Sequence, residues 1–337
     1  MNPACGTVPS GDTTVAMELA DSLTGIQASQ IPRPMFDLTK QIVLDYLGVS
    51  IAASTLSPEA KGLSGALDVF GHSGSCTVLG FNSRTSAAGA AFVNGGLGHL
   101  LDFDDAVWRG HPSIVTVPVA LALAEDLGTV SGEEFLTAVA LGVEVLARLG
   151  RAPRRFDWPM ANGWEGTQLL GYLAAAATAG RLLGLQPIQM AHALGLAFGQ
   201  LSGSREMAAT GSTDARGLQG AFASQGGLVA AQLAKAGLTG PTRFIEGRFG
   251  LFANYLNVED PDLELITGGF GARFIAIEDH SFKVWPTCAE NKSPVAAALE
   301  LLRRHNLSPD DIESVTVWGD AHLGTLSEPT DAKRHPK

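Results

Sequence analysis

Apolar residues recur every three or four positions through most of the chain, which is the spacing that buries one face of an α-helix. Ile42, Val43, Tyr46 and Leu47 show this spacing within one segment. The pattern predicts helices over residues 14–23, 36–54, 57–70, 85–101, 113–127, 132–149, 168–183, 187–201 and 215–236. We therefore expect residues 13–270 to form a large, all-helical domain, with residues 1–12 disordered.

Local signals set several of the predicted helix ends. Ser131 precedes Gly132 and two glutamates, which is typical of an N-cap followed by acids in the first turn. Gly184 and Pro187 follow a helical pattern and indicate that it stops there. Many of the 40 glycines fall inside predicted helices, where each costs about 1 kcal/mol relative to alanine. Small residues at such positions predict helices that cross closely.

The composition changes after about residue 270. Residues 273–278 and 314–318 are rich in Val, Ile, Phe and Thr and are predicted to be strands, with a helix over 293–305 between them. This order predicts the start of an α+β domain over residues 271–337. A sheet that stopped there would have open edges, so we expect this domain to be incomplete.

The composition of the chain indicates which partners and which compartment the protein has. The chain has 337 residues, of which 45% are hydrophobic and only 17% charged, so we expect much of its surface to be buried, for example at a subunit interface. The net charge of -11 argues against nucleic acid and anionic membranes as partners. Three cysteines without metal or disulfide spacing fit a reducing compartment. With no secretory signal and no apolar run of membrane-spanning length, we expect a cytoplasmic protein.

Residues 98–112 are the strongest candidate for chemistry. Asp102, Asp104 and Asp105 follow the helix predicted to end at Leu101, where the helix dipole disfavours negative charge. Three close carboxylates also repel one another, which raises pKa values and suits a site that moves protons. The alternative is a solvated loop whose acids pair with Arg109. A Mg²⁺ site is less favoured, because the sequence indicates no further oxygen ligands.

Two cationic positions are also candidates. Lys283 is flanked by Phe282, Val284 and Trp285, so it either extends to solvent or has a depressed pKa and a chemical task. Arg216 lies at the start of a predicted helix, where it either binds a carboxylate or is simply solvated. The basic run over residues 151–155 either steers an anion or is a solvated loop. No dinucleotide, nucleotide, zinc or nucleophile-elbow motif is present, so we expect no metal and no organic cofactor.

Taken in order, several short motifs resemble the MmgE/PrpD family. This family includes 2-methylcitrate dehydratase, cis-aconitate decarboxylase and iminodisuccinate epimerase. The resemblance covers about residues 15 to 330. It is carried by Asn94-Gly95, His99-x-x-Asp102-Phe103-Asp104-Asp105, His111-Pro112-Ser113, Pro118-x-x-Leu121-Ala122-Leu123-Ala124-Glu125, Gly142-Val143-Glu144-Val145, Arg181-Leu182-Leu183-Gly184-Leu185, Leu238-Thr239-Gly240-Pro241, Glu246-Gly247-Arg248-Phe249-Gly250 and Lys283-x-Trp285-Pro286-x-Cys288.

The resemblance implies a large helical domain with an α+β lid and an active site between them. It also implies a homodimer and a longer chain, with a catalytic tyrosine beyond residue 337. It places Asp102, His111 and Lys283 at catalytic positions. The substrate-binding positions that it implies are His99, Asp105, Glu165, Arg216 and Gln219.

Several positions depart from the family pattern. Ala106 replaces a threonine of the decarboxylase-like members, and Arg216 replaces a lysine. Glu165, Gln219 and Lys292 stand where histidines are usual. Arg216 remains protonated, so it can bind a carboxylate but cannot act as an acid or base.

The resemblance therefore implies a cofactor-independent lyase that acts on a small di- or tricarboxylic acid. A proton is transferred at a carbon next to a carboxylate, with His111 as the acid or base, oriented by Asp102, and with Lys283 and Arg216 as carboxylate anchors. The departures favour a dehydratase of the 2-methylcitrate type. A cis-aconitate-type decarboxylase, an epimerase or racemase, and an inactive fragment remain alternatives.

Overall fold

The computed structural model describes residues 13–155, 162–209 and 213–319. The segments 1–12 and 320–337, which include the predicted disordered start and the last part of the predicted lid, lie outside the described residues.

Helices account for most of the described chain, as the sequence predicts. In chain order they are α1 (Val15–Gly25), α2 (Arg33–Leu56), α3 (Glu59–Ser64), α4 (Leu67–Phe70), α5 (Ala87–Leu97), α6 (Ser113–Leu127), α7 (Gly132–Arg151), α8 (Gly166–Leu182), α9 (Pro187–Phe198), α10 (Glu206–Ala209), α11 (Gln219–Lys235), α12 (Leu263–Thr267), α13 (Ala276–Asp279) and α14 (Lys292–His305). Short 3₁₀ turns cover Ala28–Gln30, Asp214–Leu218, Ala289–Asn291 and Pro309–Asp311, and a π-helical turn covers Leu251–Leu256.

The core is centred on α8. Almost every residue of this alanine-rich helix is buried, and it packs against α6, α7, α9 and α11. Close crossings are possible because the helices meet at small residues. A Cβ on Gly95 of α5 would lie 2.7 Å from the carbonyl oxygen of Gly220 in α11, and one on Gly227 would lie 2.5 Å from the Cβ of Ala175. The predicted role of the small residues is confirmed.

The predicted helix ends agree with the structure where capping signals are local. The Ser131 hydroxyl accepts from the backbone N–H of Glu134 at 3.1 Å, and Gly184 adopts a left-handed φ of 65° before α9 begins at Pro187. Three predicted helices differ. The 57–70 segment divides into α3 and α4, the 85–101 helix ends at Leu97, and the 215–236 helix begins with a 3₁₀ turn.

Two small antiparallel ladders complete the described fold. β1 (Cys76–Val78) pairs with β2 (Ser83–Thr85) as a hairpin. β3 (Ala106–Val107) pairs with β4 (His280–Ser281), so that Ala106 lies opposite Ser281 and Val107 opposite His280. The second ladder joins the acidic loop to the segment that carries Lys283.

The two strands predicted after residue 270 are wrong. The first segment contains α13 instead, because the Glu144 carboxylate accepts the backbone N–H groups of Ile275 and Ala276 and so caps a helix there. The second lies in an irregular stretch, where Val315 and Val317 are exposed and no strand among the described residues pairs with them. The helix between them forms as α14, although none of its residues is buried. The division into two domains remains a prediction.

Candidate active site

The acidic loop lies between α5 and α6, and its carboxylates are not in the last turn of a helix. Since α5 ends at Leu97, the predicted dipole penalty on Asp102 is wrong. Asp102 instead adopts a φ of 47°, a conformation that is uncommon for residues other than glycine. Such strain persists only where surrounding contacts fix it, and here these contacts are basic side chains.

Asp102 binds both predicted cationic anchors. The buried Lys283 ammonium donates to the Asp102 carboxylate at 2.5 Å and to its backbone carbonyl at 2.8 Å. Arg216, whose side chain is 37% exposed, lies 3.3 Å from the other carboxylate oxygen. Burial alone would raise the pKa of Asp102, but Arg216 and Lys283 together lower it. Asp102 is therefore a poor base and a good partner for cations.

Asp104 is the centre of a buried pair of imidazoles. Its carboxylate lies 3.0 Å from Nδ1 of His99 and 3.1 Å from Nδ1 of His111. Burial opposes its ionisation, yet the two histidines hold the pKa of Asp104 well below its usual value. Asp104 belongs to the predicted acidic cluster, and its two contacts make it the central carboxylate of the site.

The tautomer of His111 follows from its contacts. Nδ1 lies 2.7 Å from the backbone carbonyl of Asp105, and a carbonyl can only accept, so Nδ1 carries a proton. Nε2, to which no described residue hydrogen-bonds, is then the nitrogen that can exchange a proton with a substrate. Burial lowers the pKa of His111, but the Asp104 carboxylate outweighs this effect and raises it.

These contacts correct one part of the predicted site. The prediction that Asp102 orients His111 is wrong, because the imidazole is held by the Asp104 carboxylate and the Asp105 carbonyl. Asp102 instead binds Lys283 and Arg216. Asp102 and Lys283 nevertheless contact each other, and the charges of both act on the pKa of His111.

Asp105 is fully buried and holds two elements in place. One oxygen accepts the backbone N–H of Ser113 at the start of α6, at 3.1 Å. The other lies 2.7 Å from Nε2 of His280, whose side chain is buried and for which the sequence predicts no role. The signal that could have found His280 is its place three residues before Lys283. Because Asp105 is fully buried, its position favours a positioning role over direct contact with a substrate.

Two further predicted substrate-binding residues also contact each other. Gln219, the first residue of α11, donates from its side-chain amide to Nε2 of His99 at 2.8 Å. His99 therefore donates from Nδ1 to Asp104 and fixes one side of that carboxylate. Both residues are buried.

Glu165 lies at the start of α8, with its carboxylate 3.8 Å from the guanidinium of Arg205. Burial opposes the charge of Arg216, but Asp102 and then Glu165 raise its pKa. Glu165 therefore adds negative charge near Arg216.

Three more ionisable groups surround the cluster. Lys292 donates to the Ser281 hydroxyl at 2.9 Å, and burial together with Lys283 lowers its pKa. Burial and Glu290 raise the pKa of Cys288 to about 11, so this residue is a thiol at neutral pH. On α2, burial and the charges of Asp105 and Asp104 raise the pKa of Asp45 to about 6.

His99, Asp104 and His111 place their ligand atoms within 4.8 Å of one another, so a metal ion has to be considered. A metal ligand needs a free lone pair, whereas Nδ1 of His111 donates to the Asp105 carbonyl. Nδ1 of His99, Nδ1 of His111 and the Asp104 carboxylate are already matched as donors and acceptor of hydrogen bonds. Their geometry fits an orienting network better than a set of metal ligands.

Comparison of the sequence with models of known protein families identifies the family of this chain. The MmgE/PrpD N-terminal domain matches residues 17–264, which is most of the chain. The chain belongs to the MmgE/PrpD family. The predicted family is therefore confirmed, and so is the mainly helical fold class.

The similar proteins with curated names are mostly cis-aconitate decarboxylases. A cis-aconitate decarboxylase-like protein of Aspergillus oryzae is 31% identical over 72% of this chain and 51% of its own length. The cis-aconitate decarboxylase of Aspergillus terreus is 27% identical over 93% of this chain and 67% of its own. The mouse cis-aconitate decarboxylase is 28% identical over 88% and 60%. The chain thus spans about half to two thirds of the length of these relatives.

The comparisons establish the family, whereas the activity and the roles predicted for individual residues remain predictions. Among the described helices, none combines the length and apolar character that a bilayer crossing requires.

Proposed function

We propose that this protein is a carboxy-lyase that removes CO₂ from a small unsaturated tricarboxylic acid of the cis-aconitate type. Its relatives at 26–31% identity carry the name of that activity. The observation that carries the proposal is the state of His111. Its Nδ1 is fixed by acceptors, its Nε2 faces no described partner, and its pKa is raised.

Decarboxylation requires an acid more than a base. When the carbon–carboxylate bond breaks, CO₂ leaves and the electron pair remains on the substrate, where the neighbouring unsaturated carboxylate delocalises it. That carbanion then needs one proton on carbon. An imidazolium with a raised pKa supplies this proton from Nε2 and becomes neutral, and solvent returns the proton afterwards.

Cations near His111 would hold the substrate. Arg216 is more exposed than Lys283, so it would meet a substrate carboxylate before Lys283 does, in competition with Asp102. Lys283 lies deeper, and its positive charge would stabilise the negative charge that builds up during the reaction. No step needs a metal or an organic cofactor.

Dehydration is the second candidate, and two observations favour it. Loss of water requires a base as well as an acid, and Glu165 supplies a carboxylate beside Arg216 and Arg205. Ala106 also lacks the hydroxyl expected in the decarboxylase-like members. The dehydratase preference of the sequence analysis therefore becomes the alternative, and the homodimer and the cytoplasmic location remain proposals.

NMR in D₂O with citrate-, aconitate- and iminodisuccinate-like acids separates these reactions. A decarboxylase releases CO₂ and places one deuterium on carbon. A dehydratase instead yields an alkene and water without CO₂. An epimerase exchanges the α proton while the carbon skeleton stays intact. Release of CO₂ from the unsaturated tricarboxylate is the expected result, and turnover of the other acids alone would contradict the proposal.

A further inference from the structure

Helix α7 contains a buried ion pair that the proposed reaction does not use. The Glu144 carboxylate accepts from Nε of Arg148 at 2.6 Å, one helical turn away, and neither side chain is exposed. Arg148 is among the largest side chains that are completely buried. Such a pair adds little net stability, because the cost of removing both charges from water offsets their attraction. Its presence therefore calls for another explanation.

Arg148 organises the chain that leads to the site. Its guanidinium donates to the backbone carbonyls of Leu265 at 2.8 Å, Gly268 at 2.9 Å and Arg273 at 2.7 Å. It also lies over the ring of Phe270, 4.7 Å from the centroid. One side chain thus fixes the backbone at several points along nine residues.

Glu144 continues the same function at the next residues. Its two oxygens accept the backbone N–H groups of Ile275 at 2.9 Å and Ala276 at 3.0 Å, where α13 begins. These bonds determine that the segment is helical rather than the strand predicted from its composition. One turn beyond Arg148, Arg151 binds Asp279, the last residue of α13, at 3.0 Å.

Two side chains of the site follow directly after α13 in the chain. His280 is the first residue after α13, and the pairing of β4 with β3 brings it to Asp105. Lys283 follows three residues later in the chain and binds Asp102. Both contacts depend on register, because a shift of one residue in β4 would turn His280 away from Asp105.

We propose that Glu144 and Arg148 are positioning residues that set the register of residues 265–283, and so place His280 on Asp105 and Lys283 on Asp102. The pair acts through backbone groups and does not touch the substrate. The rate part of its test rests on the proposed function, whereas the titration part does not.

The test compares Arg148→Lys and the apolar double variant Glu144→Leu/Arg148→Met with wild type. The double variant roughly keeps the volume and leaves no unpaired buried charge, so it folds more readily than a variant that removes only one charge of the pair. Arg181→Lys is the matched control, because Arg181 likewise joins a glutamate of α7, Glu134, to backbone carbonyls, but those of α1.

Two readouts separate positioning from general stability. The first is the NMR titration of His111, which needs no substrate. Because the Lys283 charge lowers the pKa of His111, displacement of Lys283 raises it. The second is kcat on the acid identified by the NMR panel, which we expect to fall at least about tenfold with a smaller change in KM. The Arg181→Lys control is expected to leave both unchanged.

A folded double variant with the wild-type His111 titration and wild-type kcat would overturn the proposal. Failure of the double variant to fold, while Arg181→Lys folds, would assign the pair a purely structural role and would also overturn it. If no acid is turned over by wild type and the His111 titration still moves as expected, the positioning role stands and the proposed reaction fails.

Discussion

Replacing Asp104 with asparagine removes one charge from the centre of the site and keeps its shape. Asp104 is completely buried, and its oxygens lie 3.0 to 3.1 Å from the imidazole nitrogens of His99 and His111. The Asp104→Asn variant can still accept one N–H through its amide oxygen. The change therefore tests the electrostatic role of Asp104 more than its packing.

The magnitude follows from the separation of the charges. At 3.1 Å and an effective dielectric of about 20, a carboxylate attracts an imidazolium by about 5 kcal/mol before the cost of burial is subtracted. Burial disfavours the imidazolium, and Asp104 is the main group that outweighs it. We therefore expect the pKa of His111 to fall below its usual value of 6.5 in Asp104→Asn. The rate at pH 7.5 should drop at least about tenfold.

Stability gives an independent reading of the same change. Since the pKa of His111 is raised in the folded protein, its contribution to stability is complete below its unfolded value of about 6.5. That contribution is lost as the pH rises through the folded value. Denaturant unfolding at pH 6 and pH 9 should show this loss in wild type and not in Asp104→Asn.

NMR titration of His111 is the deciding assay. Asp126→Asn is the control, because Asp126 is an exposed acid that bonds only to Ser75 among the described residues. An unchanged His111 titration in Asp104→Asn would refute the electrostatic account of the site.

Three further variants test other parts of the structure. Asp45→Asn should stabilise the protein above pH 6, because an acid whose pKa rises from 3.8 to about 6 on folding costs stability as the pH rises. The full shift in pKa is worth about 3 kcal/mol, and solvent screening reduces this to about 1–2 kcal/mol. Equal unfolding midpoints of the variant and wild type at pH 8 would contradict this prediction. Glu165→Gln removes a charge beside Arg216 and should lower KM for a tricarboxylate by roughly tenfold, about 1.4 kcal/mol, and a higher KM in steady-state kinetics would assign Glu165 a binding role instead. Gly227→Ala would place its Cβ 2.5 Å from that of Ala175 and should cost about 1–3 kcal/mol in denaturant unfolding, whereas no loss would mean that α8 and α11 do not cross as closely as described.

The sequence predicted the helices because their signals are local. Periodicity and caps such as Ser131 depend on residues within one or two turns, and they agree with the structure. The failure at residues 273–278 has a long-range cause. The composition of that segment favours a strand, but the Glu144 carboxylate, more than 125 residues earlier in the chain, caps it as a helix.

The sequence predicted which residues belong to the site better than it predicted which of them contact each other. The acidic loop is identifiable from sequence because it contains three close carboxylates, and Lys283 because apolar residues flank its charge. The β3–β4 pairing and the strained backbone of Asp102 determine which carboxylate binds which basic side chain. Asp104 and His280 acquire their roles only through those tertiary contacts, so sequence spacing could not distinguish Asp104 from its neighbours.

The central claim is that Nε2 of His111 delivers a proton to carbon after CO₂ has left. Its most direct test is turnover of cis-aconitate in D₂O by wild type and by His111→Gln, followed by NMR. We expect wild type to yield product with one deuterium on carbon, and His111→Gln to be slower by roughly 10² to 10⁴-fold while it remains folded. Equal rates in the two proteins would contradict the claim.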